Sequence, residues 1–112
     1  MRALIIEDEA LIAMLIEHEL HALGYNHFVV AKDEKQPLAA VRRHCPDLIT
    51  VDDWLVRNTT LDKLRSACQG RAIPAIHISA IAPQDPISVR DAVLPKVFDR
   101  QSLRRAIQKT KH

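Results

Sequence analysis

The sequence predicts an α/β fold, a doubly wound five-stranded parallel sheet with helices on both faces. Short apolar runs typical of buried strands alternate five times with segments of helical character. The connections between them are short, which suits right-handed crossovers between parallel strands. A length of 112 residues, with 47% hydrophobic and 27% charged side chains, matches a single domain built around one core.

Five short runs of aliphatic and β-branched residues predict the strands. Each run has the length of a strand rather than of a helix, and the first one stops abruptly at Glu7. Because strands and helices alternate along the chain, we expect a parallel sheet that is covered on both faces. The predicted strands are residues 2–6, 27–31, 47–51, 73–78 and 92–95.

The segments between the strands predict helices. In the first, apolar residues return every three or four positions and Gly24 ends the pattern. A loop over residues 58–60 precedes the third helix, and two prolines leave about two turns for a shortened fourth. The first predicted helix starts at Ala10, and the second follows Asp33 as its cap and ends before the break at 45–46. The third covers residues 61–69, the fourth lies within 81–92, and the fifth follows Asp99 as its cap.

The composition excludes several classes of function. Glycine stands only at positions 24 and 70, so neither of the glycine-rich loops that hold nucleotide phosphates is present. No apolar run approaches the ~18 residues of a membrane span and the N-terminus lacks the layout of a secretory signal, so we expect a cytoplasmic protein without a membrane partner. The last helix is basic, but a solvated helix face is commoner than a nucleic-acid surface, and we expect no nucleic-acid partner.

The cysteines and histidines carry little functional signal. Cys45 and Cys68 have no further cysteine or paired histidine at ligand spacing, so we expect two free, at least half-buried thiols and neither a zinc site nor a disulfide. His18 and His21 lie three residues apart without a third ligand, which favours a solvated helix face. His77 alternates with isoleucines in a strand, and we expect it to be packed or partly exposed.

Polar residues stand where the predicted strands end, which is where ligands bind in such sheets. They are Glu7 and Asp8 after the first strand, Asp52 and Asp53 after the third, Ser79 after the fourth and Lys96 after the fifth. Converging carboxylates repel one another or take up protons unless a counter-charge is present, and Mg²⁺ with its oxygen ligands would supply one. Ser79 and Lys96 are donors suited to phosphoryl oxygens, whereas strand alternation points Asp53 away. The pattern therefore predicts phosphoryl transfer onto a carboxylate.

Over essentially its full length the chain resembles a receiver domain of the two-component response regulators, in the CheY-like superfamily. The residues that carry this resemblance are Ile5-Ile6-Glu7-Asp8-Glu9, Pro46-Asp47-Leu48-Ile49-Thr50-Val51-Asp52, Ile73-Pro74 leading to Ser79-Ala80, and Lys96 with Phe98. The resemblance implies the flavodoxin-like receiver fold for residues 1–112, as an atypical single-domain member. It also implies that Asp52 is the phospho-acceptor, that Ser79 hydrogen-bonds the phosphoryl group and that Lys96 pairs with it. The implied Mg²⁺ ligands are Glu7, Asp8, Asp52 and the backbone carbonyl of Trp54.

The same resemblance implies a switch rather than an enzyme. Its donor would be a histidine kinase or phosphotransfer protein, its output a downstream protein partner, and a homodimer is conceivable. The chain departs from the family at Val56 and Thr60, where proline and glycine are usual, at Val93 in place of the switch aromatic, and at Val97 in place of proline.

These departures leave a second hypothesis open, a pseudo-receiver that signals by protein contact without phosphorylation. A flavodoxin-type cofactor binder is disfavoured, because an acidic first loop repels phosphate. A phosphate-hydrolysing enzyme is disfavoured because no separate general acid or base stands beside Asp52.

Overall fold

A computed structural model of the chain describes residues 1–33, 35–52, 58–79, 91–95 and 98–110. Within these residues the backbone forms one five-stranded sheet, ordered β2-β1-β3-β4-β5, in which every neighbouring pair of strands is parallel. The strands are β1 (Arg2–Ile6), β2 (His27–Ala31), β3 (Leu48–Asp52), β4 (Ala75–Ser79) and β5 (Ala92–Pro95). The order reverses beside β1, as in a doubly wound sheet, and the predicted fold class is confirmed.

Within the described residues three helices connect successive strands and a fourth follows β5. They are α1 (Ala10–Ala22), α2 (Gln36–Arg43), α3 (Asn58–Ala67) and α4 (Arg100–Thr110). The loop predicted over residues 58–60 is wrong, because these residues form the first turn of α3. Of the segment 81–92 that was predicted to hold a shortened helix, residues 81–90 lie outside the described part, and Ala92 begins β5. No described helix has the length and apolar character needed to cross a membrane.

The sheet separates two layers of apolar side chains. Alternation along β1 sends Ile5 towards α1 and α4 and Leu4 towards α2 and α3. Strands β1, β3 and β4 are buried on both faces, which explains why their sequences are apolar almost throughout. On the helices, Leu61 and Leu64 of α3 and Leu103 of α4 are buried against the sheet.

Local hydrogen bonds set three of the predicted helix boundaries. Gly24 adopts φ of +99°, and its N–H donates to the carbonyl of His21 where α1 ends. The Oδ1 atom of Asp33 accepts the N–H of Gln36 at 2.9 Å, at the start of α2. The Oδ1 atom of Asp99 accepts the N–H of Ser102 at 2.7 Å, and hydrogen bonds from Ser102 hold the pKa of Asp99 below its ordinary value. The carboxylates of Asp33 and Asp99 therefore act as helix caps, as predicted.

Cys45 and Cys68 form a disulfide, so the prediction of two free thiols is wrong. Their separation of 23 residues conceals that α2 and α3 pack side by side on one face of the sheet. Cys45 follows the end of α2 and Cys68 follows the end of α3, with their Cα atoms 5.8 Å apart, within the range that a disulfide spans. The bond therefore ties the C-terminal ends of the two helices together.

Glu19 joins α1 to α4 and corrects another expectation. His18 and His21 are exposed, as predicted, but Glu19 between them is fully buried. Its carboxylate accepts hydrogen bonds from Arg100 and Arg104 of the last helix. The bond from Arg100 is the main cause that holds the pKa of Glu19 below its ordinary value. Part of the basic face of α4 is thus paired with α1 rather than only solvated.

Candidate functional site

Three carboxylates meet at the carboxyl ends of β1 and β3. Glu7 and Asp8 directly follow β1, and Asp52 is the last residue of β3. The two strands are neighbours, and Ile6 pairs with Val51, so the next step along each strand places Glu7 beside Asp52. One carboxylate oxygen from each of Glu7, Asp8 and Asp52 lies within 4.8 Å of the others.

Burial and hydrogen bonds orient the first of these carboxylates. Glu7 is 1% exposed and Asp52 is 3% exposed, whereas Asp8 faces solvent. The N–H of Glu7 donates to the carbonyl of Ala31 at 2.9 Å, which anchors the start of the loop to β2. The Oε1 atom of Glu7 accepts the N–H of Glu9 at 3.1 Å, which closes a tight turn. The loop therefore holds the Glu7 side chain against the end of the sheet.

This set of donor atoms fits a hard divalent cation. Two buried carboxylates and one exposed carboxylate within a few ångströms are costly unless their charge is balanced. Mg²⁺ prefers oxygen ligands, and it usually combines one or two carboxylates with waters and a phosphate. The three residues of the cluster offer only oxygen atoms, and the exposed side at Asp8 leaves room for ligands from solvent.

The remaining predicted site residues divide into two groups. Ser79 is the last residue of β4, next to β3 in the sheet, and is 8% exposed at the same end as the carboxylates. Lys96, Trp54 and Asp53 lie outside the described residues. The structure thus brings Glu7, Asp8 and Asp52 together and places Ser79 at the end of the neighbouring strand.

Two of the positions that depart from the family pattern are described. Thr60 lies in the first turn of α3 and is partly exposed. Val93 lies in β5, partly buried and paired with His77 of β4, so an aliphatic side chain stands where receivers usually carry an aromatic ring. Val56 and Val97 fall outside the described residues.

A buried ionic cluster around Asp91 was missed by sequence reasoning. Asp91, 2% exposed, accepts hydrogen bonds from Arg65 Nη2 at 3.0 and 3.1 Å and from the N–H of Ala75 at 2.9 Å. The Nε2 atom of His77 lies 3.4 Å from its Oδ2 atom, and this pairing accounts for the predicted packing of His77. Burial raises the pKa of Asp91, but hydrogen bonds from His77, Ala75 and Arg65 outweigh it and hold the pKa below its ordinary value.

The Asp91 cluster lies at the opposite end of the sheet from Ser79. Asp91 directly precedes β5 and Ala75 is the first residue of β4, so both belong to the amino ends of their strands. The guanidinium of Arg65 also donates to the carbonyl of Ile73, and the cluster therefore attaches α3 to two strands. No sequence pattern pointed to it, because Arg65, His77 and Asp91 come from separate segments.

Sequence comparison identifies one informative relative. No protein-family model matches the chain. The transcriptional regulatory protein PdtaR of Mycobacterium tuberculosis is 32% identical over 92 residues, which are 81% of this chain and 45% of PdtaR. The chain thus spans less than half the length of this curated relative.

Solved structures with the same fold are receiver domains and response regulators. The PhyR stress response regulator superposes with a TM-score of 0.79 at 27% identity, over 97% of this chain and 44% of PhyR. The receiver domain of sensor histidine kinase PA1611 from Pseudomonas aeruginosa was solved with a magnesium ion in its active-site cleft. It superposes with a TM-score of 0.76 at 27% identity, over 96% of this chain and 94% of the PA1611 domain. Chemotaxis regulator CheY4 of Vibrio cholerae superposes with a TM-score of 0.79 at 19% identity, over 97% of each chain, which shows a likeness of fold alone.

The sheet order, together with the acidic cluster at the ends of β1 and β3, defines a receiver-type domain. The chain belongs to the CheY-like receiver domains of response regulators. As a class these domains are signalling switches.

Proposed function

We propose that residues 1–112 form a phosphoryl-accepting receiver domain in which Asp52 is the acceptor. The donor is a histidine kinase or phosphotransfer protein of a two-component system. The observation that carries the proposal is the meeting of Glu7, Asp8 and Asp52 within 4.8 Å at the carboxyl end of the sheet. The relationship to PdtaR and PhyR, both named as regulators, supports it.

The position of Asp52 suits it to act as the nucleophile. It ends β3, the central strand, whereas Glu7 and Asp8 belong to the loop after β1. An Oδ atom of Asp52 attacks the phosphorus, and the bond from phosphorus to the donor's imidazole nitrogen breaks with its electron pair going to that nitrogen. The product is an acyl phosphate on Asp52. Positioning of the acceptor and charge stabilisation supply most of the catalysis in such transfers.

The neighbouring residues have separate roles in this proposal. Glu7, Asp8, Asp52 and the backbone carbonyl of Trp54 hold Mg²⁺, which when bound neutralises negative charge on the carboxylates and the phosphoryl oxygens. Ser79 donates its hydroxyl to a phosphoryl oxygen, and Lys96 pairs with another. The magnesium ion seen in the cleft of the PA1611 receiver supports this use of an acidic cluster.

We place the chain in the cytoplasm, where a kinase can reach Asp52 and a downstream protein can read the phosphorylated surface. Phosphorylation changes the charge at one end of the sheet, and that change is what a partner, or a second copy of the chain, would detect. The protein acts as a switch, and its only chemistry is its own phosphorylation and dephosphorylation.

The pseudo-receiver is kept as a second candidate because of one observation. Val93 has no ring that could rotate and no hydroxyl that could bond to Ser79, so the usual aromatic coupling element is absent from β5. In this alternative the acidic cluster binds a cation, and the chain signals through protein contacts alone.

The two candidates are separated by the intact mass after incubation with acetyl phosphate and Mg²⁺. The receiver proposal expects the mass of one added phosphoryl group, lost in Asp52→Asn and retained in Asp62→Asn, a matched change at an exposed residue of α3. A protein that binds Mg²⁺ but gains no mass, also with a phosphorylated histidine phosphotransfer protein as donor, would establish the pseudo-receiver instead.

A further inference from the structure

A groove of about 270 Å³ opens on the α2 face of the sheet, between β2 and the end of α2. Its floor is apolar and includes Leu4 of β1 and Val29 of β2, which are register partners, together with Val41 of α2. Ala40 of α2 also lines the groove, which lies between this helix and the edge strand β2. The groove is therefore a built concave surface with an aliphatic base.

The rim of the groove is basic. Arg2 and His27 are partners in register one step towards the amino ends of β1 and β2, and Arg43 and His44 face them from the end of α2. In the part of the chain that the structure describes, none of these four side chains makes a hydrogen bond or an ion pair. By contrast, the guanidinium groups of Arg65, Arg100 and Arg104 are all paired with buried carboxylates.

Ordinary structural roles account for only part of this charge. Basic residues at a helix C-terminus offset the helix dipole, which explains Arg43 and His44. The helix dipole does not explain Arg2 and His27, which project from the strands. The carboxylate of Asp47 accepts the backbone N–H of Arg2 at 2.7 Å, and within the described residues the guanidinium of Arg2 has no partner of its own.

We propose that this groove is a binding site for a small organic anion, a carboxylate attached to an apolar body of about the size of an aryl group. The volume lies just below the range of roughly 300–1,000 Å³ that holds drug-sized ligands, so the occupant is small. Arginine side chains bind carboxylates through paired, charge-assisted hydrogen bonds, and the aliphatic floor removes the body of the ligand from water. An inorganic anion would leave that floor uncovered.

The groove lies at the other end of the sheet from the acidic cluster. Arg2 begins β1 and Glu7 follows it, which at about 3.3 Å per residue separates the two sites by roughly 16 Å. Binding in the groove therefore does not depend on Asp52 or on Mg²⁺. The proposal can be tested apart from the phosphoryl-acceptor proposal.

The test uses phenylacetate as the probe, with phenylacetamide as its neutral counterpart and acetate as a carboxylate without a body. Binding is followed by ligand-observed NMR and by amide shifts of the folded protein in Mg²⁺-free buffer. Phenylacetate is expected to bind at least fivefold more tightly than either counterpart and to shift the amides of His27, Val29 and His44.

Two pairs of variants locate the site. Arg43→Gln is expected to weaken phenylacetate binding at least fivefold, whereas Arg105→Gln, a matched change on α4, leaves it unchanged. Val29→Glu introduces a negative side chain into the groove and should abolish binding. Val30→Glu is its control, since Val29 and Val30 are adjacent on the edge strand, 47% and 38% exposed, and point to opposite faces.

The proposal is overturned if phenylacetamide binds as tightly as phenylacetate, or if both variants of a pair weaken binding equally. It is also overturned if the shifted amides surround Asp52 instead. Binding of an acidic peptide with no binding of phenylacetate would replace the small anion by a protein partner. Amide spectra of each variant establish that it remains folded.

Discussion

Reducing the disulfide between Cys45 and Cys68 should lower the free energy of unfolding of the chain by several kilocalories per mole. The bond joins the ends of α2 and α3, and both sulfur atoms lie in the apolar layer between these helices and the sheet. Cys68 is 1% exposed and Cys45 is partly buried, and both can remain there as thiols. Reduction therefore acts mainly on the unfolded chain, which gains freedom when the closed loop opens.

The size of the effect follows from the length of that loop. For the separation of 23 residues between the cysteines, the loop-closure entropy corresponds to about 3.4 kcal/mol at 25 °C. Domains of this size have a total free energy of unfolding of about 5–15 kcal/mol. The reduced protein is thus expected to remain folded in buffer but to unfold at a clearly lower urea concentration.

The assay is urea denaturation of the protein with and without dithiothreitol, together with a count of free thiols in the unfolded state. The control is a Cys45→Ala, Cys68→Ala variant, whose midpoint should not respond to the reductant. If the oxidised and reduced proteins differ by less than about 1 kcal/mol, the unfolded-state argument is refuted. If protein purified without reductant shows two free thiols, the disulfide itself is refuted.

The other predictions concern the two carboxylate clusters. Replacing Glu7 by Gln and Asp8 by Asn together should weaken Mg²⁺ binding more than tenfold, about 1.4 kcal/mol, as measured by titration calorimetry. The exposed Asp62→Asn change is the control, and a loss of less than twofold in the double variant would mean that the metal site is elsewhere. Asp91→Asn should reduce the free energy of unfolding by about 2–3 kcal/mol at neutral pH, because hydrogen bonds to a charged group are lost. Since the pKa of Asp91 is lower in the folded protein, its stabilisation is present above the ordinary value of 3.8 and is lost as the pH falls below it. The free energies of unfolding of the two proteins, measured by urea denaturation, should therefore converge as the pH falls from neutral to acid. A difference between them that stays constant with pH would contradict this.

The candidate site was accessible from the sequence because its residues directly follow strands. Once Glu7 and Asp52 are placed at the ends of two neighbouring parallel strands, their proximity follows from the topology. Cap positions such as Asp33 and Asp99 were accessible for a similar reason, since each acts on backbone groups two or three residues away.

Contacts between distant segments were not accessible in this way. Glu19 pairs with arginines 81 and 85 residues further along the chain, and Asp91 pairs with Arg65 at a distance of 26 residues. Each of these contacts depends on how one helix is rotated and offset against its neighbours. Periodicity shows which face of a helix is apolar, but it does not show which polar residue on the boundary meets a partner.

The amino-acid sequence by itself determined the order of strands and helices, the parallel sheet and the positions at which acidic residues follow its strands. These properties depend on hydrophobic periodicity and on backbone geometry within a few residues, which are encoded locally. Only the tertiary structure decided that Cys45 meets Cys68, that Glu19 and Asp91 are buried with basic partners, and that four basic side chains surround an apolar groove. These features arise when helices pack on a common sheet, because side chains far apart in the chain are then held within a few ångströms of one another.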